Sequence, residues 1–168
     1  MSHTPAAITA ASIPDFYRQL HQQLEAVLAG ESDWICNLAQ TAALIMELMP
    51  GLNWAGFYLL RHDTLVLGPF QGRVACTRIA LDRGVCGAAA SRRASLVVPD
   101  VHSFPGHIAC DPRSRSEIVV PVIHHGRLLG VLDLDSPLPA RFTDEDARGL
   151  EGVVTRLLEA SDVSHPPA

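Results

Sequence analysis

Apolar residues recur every fourth position at Phe16, Leu20, Leu24 and Leu28, the spacing of one buried helix face. Ser12 and Asp15, with Pro14 in the first turn, mark the start of this helix, and Gly30 marks its end. A second helix is expected from about Asp33 to Leu48, closed by Pro50-Gly51, with Ile35, Leu38, Ala42, Ile45 and Met49 as its stripe. The period then shifts towards two. NWAGFYLL and TLVLGPF, separated by Arg61-His62-Asp63, predict a β-hairpin, and TRIAL, SLVVPD, EIVVPVI and LLGVLDLD predict further strands. GVCGAAASRR predicts a short helix, and VHSFPGHIACDPRSRS a long irregular loop of the kind that carries function. Thr143 with Asp146 opens a last helix striped by Leu150, Val153, Val154, Leu157 and Leu158. This order predicts an α+β fold in which terminal helices flank a central, mostly antiparallel sheet. The expected organisation is a flexible tail over 1–14, one domain over 15–161 and a second flexible tail over 162–168, with SHPPA fraying.

At 168 residues the chain is long enough for one domain with a proper core, and its 48% hydrophobic and 18% charged residues are those of a globular protein. A formal charge of -5 argues against nucleic acid or an anionic membrane as partner. No apolar run has the length of a membrane span. The opening MSHTPAAITAASIPDF has no basic region leading into an apolar stretch, so the expected compartment is the cytoplasm. There, cysteine pairs tend to be catalytic or redox-sensing.

Of the four cysteines, Cys36 lies beside the stripe of the second helix and reads as a small packing residue. Cys76 in GPFQGRVAC, Cys86 in RGVCG and Cys110 in PDVHSFPGHIACDP lie instead in turn-like segments, where a thiol reaches a pocket or solvent more readily. A thiolate in such a place is a nucleophile, and a second thiol traps its oxidised product as a disulfide. Cys86 at the start of a short helix is expected to have its pKa lowered by the helix dipole. Metal ligation has little support: the 4 Cys and 8 His form no C-x-x-C or H-x-x-x-H, and the His107/Cys110 spacing has no second pair beside it. RGVCG also lacks the lysine and glycine pattern of a phosphate loop.

Asp133 and Asp135 share one face of a strand, with Leu132 and Leu134 on the other. Alone, they suit a half-exposed edge with solvated carboxylates. Glu117 in the preceding strand joins them if the connection has three residues (125–127), whereas a two-residue loop turns Glu117 to the leucine face. Three carboxylates together raise one another's pKa, suit a ligand ammonium, and let one protonated member act as a general acid. Trp54 and Tyr58, four apart on a strand, share a face and line either plain core or a slot for a thioether group.

The strings NWAGFYLL, LVLGPFQGRVAC, RGVCG, VPDVHSFPGHIACD, SEIVVP and GVLDLDSP, in that order over residues 53–136, resemble the free methionine-(R)-sulfoxide reductases, enzymes built on the GAF fold. The resemblance implies reduction of free methionine-(R)-sulfoxide. It makes Cys110 the nucleophile, Cys76 its disulfide partner and Cys86 a further redox thiol. It puts Trp54 and Tyr58 around the methyl-sulfur end, and has Glu117, Asp133 and Asp135 hold the amino group and assist proton transfer. It further implies thioredoxin as reductant, a homodimer, and no metal or organic cofactor. Asp82, where family members often carry glycine, is the one departure noted. The competing expectation is a GAF module that senses a ligand without catalysis.

Overall fold

The computed structural model describes residues 4–108 and 110–164. Six antiparallel strands form one sheet: β1 (Trp54–Arg61), β2 (Thr64–Gly72), β3 (Arg78–Ala80), β4 (Leu96–Val98), β5 (Ser116–His124) and β6 (Arg127–Ser136), in the order β3-β2-β1-β6-β5-β4. Helices α1 (Ile13–Leu28), α2 (Trp34–Leu48) and α4 (Asp144–Ala160) cover one face, while α3 (Gly84–Arg92) packs on β5 and β6 from the other. The expected α+β architecture is the one observed. Every predicted strand is present, and one 3-10 turn at Val101–Ser103 interrupts the long loop.

The caps act as their side-chain chemistry dictates. Ser12 accepts from the Asp15 amide, and Thr143 and Asp146 make a reciprocal capping box. In α1 the buried face is Tyr17, Leu20, Leu24 and Leu28, with Phe16 only partly covered. The α2 face is also turned from its expected setting: Trp34 is buried, whereas Ile35 is 38% exposed and Cys36 is exposed. Cys36 is therefore not a packing residue. The phase shifts because Asn37 and Thr41 tolerate burial. Asn37 Nδ2 donates to the Glu31 carbonyl and to Ser161 Oγ, and Thr41 Oγ1 donates to the Asn37 carbonyl.

The termini are tied to the helical layer. Ala6 exchanges hydrogen bonds with Gln23, Ile8 packs against the core, the Asp162 amide donates to the Ser32 carbonyl, and Val163 is buried. Most of SHPPA lies outside the described residues.

Tyr17 of α1 donates to Asp146 of α4 at 2.9 Å, and its ring lies directly on Gly149. A Cβ at Gly149 would run into that ring. Gly149→Ala should therefore destabilise the fold by about 2–3 kcal/mol, despite alanine's better helix propensity. Thermal unfolding should show a Tm lower by roughly 5–10 °C; an unchanged or higher Tm would mean that the two helices separate easily.

The β5–β6 hairpin decides the site. Its loop has two residues, His125 and Gly126, both in the left-handed region (φ 48° and 77°), with His124 facing Arg127. That connection alone would place Glu117 on the leucine face. The register is restored further along: Ile123 faces Leu128 but Val122 faces Gly130, so Leu129 is the extra residue of a β-bulge. Past the bulge Glu117 stands opposite Asp135. Leu128 and Val131, of opposite parity, accordingly pack in the same α3-side core.

Candidate active site

The site lies on the α3 face of the sheet. Three strands lay its residues in rows: Trp54 of β1, Asp135 of β6 and Glu117 of β5 form one, and Gly56, Asp133 and Val119 the next. The β6 carboxylates thus sit in the middle of the sheet rather than at an edge, which overturns the solvated-edge reading. Gly56 is required beneath the aromatics, since a Cβ there would collide with the Trp54 ring and with Phe70. The Trp54 ring stacks on Tyr58 at 5.9 Å and on Phe70 at 5.4 Å between centroids.

Glu117 and Asp133 are buried at 5% and 6% exposure, and Asp135 is partly covered at the rim. Burial, the largest cause, raises all three carboxyls above their ordinary range. Mutual repulsion adds to this for Glu117 and Asp135. Asp133 is pushed up to about 7, restrained by hydrogen bonds from Cys86 and Glu117. Burial thus outweighs the repulsion expected from sequence. The Asp133 Oδ1 atom is buried without a hydrogen-bond partner among the described residues, so it lacks a donor that a cationic ligand would supply. His107 Nδ1 comes within 3.8 Å of Glu117 Oε2. Burial and the neighbouring His102 hold His107 below the usual imidazole range, which works against an ion pair at this contact.

Cys76 and Cys110 are joined in a disulfide with Cα atoms 5.6 Å apart, and Cys110 lines the pocket together with Trp54, Tyr58, Glu117, Asp133 and Asp135. The aromatics also hold the segment leading to Cys76: Trp54 Nε1 donates to the Arg73 carbonyl at 3.1 Å and Tyr58 Oη to that of Cys76 at 3.0 Å. Asp111 and Ser114 also line the pocket; Asn53 Nδ2 donates to both, and Arg113 pairs with Asp111 at 2.7 Å. The Arg113 contact holds the Asp111 carboxyl well below its ordinary range. Cys86 corrects the expectation of a lowered pKa. It is buried against Glu117, and burial together with the Asp133 and Glu117 charges pushes its thiol up. Burial of the thiol, with the nearby carboxyls adding to it, outweighs the first turn of a nine-residue helix.

The GAF domain model matches residues 23–160. The chain is 52% identical over 143 residues to the free methionine-R-sulfoxide reductase of Escherichia coli, covering 85% of this chain and 87% of that protein. It belongs to the free methionine-R-sulfoxide reductase family. The Saccharomyces cerevisiae member is 46% identical, with 72% of each chain covered. The X-ray structure of the Neisseria meningitidis reductase in complex with its substrate superposes with a TM-score of 0.89, at 45% identity and 95% coverage of each chain.

In this family member the fold brings together seven of the eight residues singled out from sequence around one pocket: Trp54, Tyr58, Cys86, Cys110, Glu117, Asp133 and Asp135. Cys76 reaches it through the disulfide. Sequence reasoning missed Phe70, Asn53, Asp111 and Ser114, which act on the others. The long loop was expected to carry function, but nothing in the chain announces that Asn53 bonds to Asp111 and Ser114 within it.

Proposed function

We propose that this chain reduces free L-methionine (R)-S-oxide to L-methionine, with Cys110 as nucleophile. The observation that carries the reading is the Cys76–Cys110 disulfide beside a pocket lined by the buried carboxyls of Glu117 and Asp133, the partly covered Asp135, and the rings of Trp54 and Tyr58.

The chemistry follows from what each group can do. Three carboxyls so close together resist full ionisation, and an arriving ammonium stabilises the ionised form of one or two. Asp133 Oδ1, without a partner among the described residues, is free to accept from it. A member that stays protonated gives its proton to the sulfoxide oxygen, which cannot leave as oxide. A positioned acid contributes about 10²–10⁴-fold. The Cys110 sulfur attacks the sulfoxide sulfur, the S–O oxygen passes to Cys110 as a sulfenic acid, and methionine departs. The Cys76 thiol displaces water from that sulfenic acid, giving the disulfide. A dithiol protein of the thioredoxin class then supplies the two electrons that restore both thiols. A methionine residue within a peptide has no ammonium for the carboxyls, so the site selects the free amino acid.

The test offers the two diastereomers of free methionine sulfoxide to the reduced protein with dithiothreitol. Consumption of the R form alone, with stoichiometric methionine, is expected. Binding of the R form without turnover would instead support a sensing module, and no effect of either would remove both readings.

A further inference from the structure

Cys86 of α3, Glu117 of β5 and Asp133 of β6 meet beneath the pocket, each offering a ligand atom within 4.8 Å of the others. The Cys86 sulfur is 4.0 Å from Glu117 Oε1. Ligands of a tetrahedral zinc ion stand about 3.3–3.5 Å apart, so small side-chain rotations close the set. All three residues are more than nine-tenths buried, and Asp133 Oδ1 has no hydrogen-bond partner among the described residues. His107, 3.8 Å from Glu117, lines the same pocket.

We propose that the reduced protein binds a thiophilic divalent cation, zinc foremost, through Cys86, Glu117 and Asp133. One thiolate and two carboxylates supply the charge, and the Cys86 thiol loses its proton to bulk water as the metal–sulfur bond forms. Sulfur in the set and the buried position select against magnesium and calcium, which favour all-oxygen shells. Taking the preceding reading of the ammonium cradle, the ion occupies that cradle and acts as an inhibitor, not a cofactor.

The binding test does not depend on that reading. Protein carrying Cys76→Ser and Cys110→Ser, reduced and desalted anaerobically, is titrated with cobalt(II) and then with zinc against a chromophoric chelator. One equivalent should bind with a thiolate-to-cobalt absorption band, at an affinity within threefold of reduced wild type. Adding Cys86→Ser should remove the band and weaken zinc at least a hundredfold, and adding Asp133→Asn instead should weaken it at least tenfold. Should the Cys86 variant not fold, the Asp133 variant carries the comparison. Absence of the band in the double-serine protein, or a band and affinity unchanged by both further substitutions, overturns the site.

Discussion

Cys110→Ser abolishes turnover of the R-sulfoxide, with kcat/KM lower by about 10⁴-fold or more, as when a covalent nucleophile is removed elsewhere. Substrate binding by calorimetry should stay within several-fold, because the carboxyls and aromatics are untouched. Under reducing conditions the variant should melt close to wild type, since Cys110 lies in an irregular, partly exposed loop. Without reductant the comparison changes. The disulfide joins residues 34 apart and removes about 3–4 kcal/mol of loop-closure entropy from the unfolded chain. Oxidised wild type should therefore melt well above its reduced form, and the variant should show no such gap. Turnover at the wild-type rate in Cys110→Ser would move the nucleophile elsewhere.

Asp133→Asn should have two opposite effects. Substrate affinity should fall at least tenfold, since an uncharged amide replaces a carboxylate facing the ammonium. The unliganded protein should become more stable at alkaline pH. The folded-state pKa of Asp133 is raised to about 7 from an ordinary value of 3.8. In wild type the stability present below about pH 4 is therefore lost as pH rises towards 7. Asparagine has no proton to lose. The difference between variant and wild type should grow across that window and level off above it, at about 2–4 kcal/mol, or roughly 5–10 °C in Tm. Relief of repulsion on Glu117 and Asp135 acts in the same direction. Melting curves at pH 5 and pH 8 measure this, and equal Tm differences at both would show that Asp133 is ionised throughout. The site thus holds charge that the empty fold disfavours and a ligand accepts.

Much of the fold was legible because helix and strand periods differ. The four-residue recurrence through Leu20, Leu24 and Leu28 and the Thr143–Asp146 cap act locally, and the structure keeps both. Where packing decides, the pattern misled. Ile35 and Cys36 look apolar enough to be buried, yet Asn37 and Thr41 take their place by bonding to backbone and to Ser161. Cys86 was misjudged for a related reason. Its sequence neighbours give a helix start, but its environment comes from Glu117 and Asp133, 31 and 47 positions away. The carboxylate trio was visible only as a choice between two loop lengths, and the answer used neither simple case.

Leu129 carries a consequence for how such a chain can vary. Deleting this single leucine, or adding one residue to the neighbouring turn, would rotate half a strand and bury a glutamate among the leucines on the helical side. That change would be made roughly 20 Å from Asp135 along β6. Hairpin length, ordinarily a freely drifting property of a surface bend, is here under the same constraint as the reactive groups themselves.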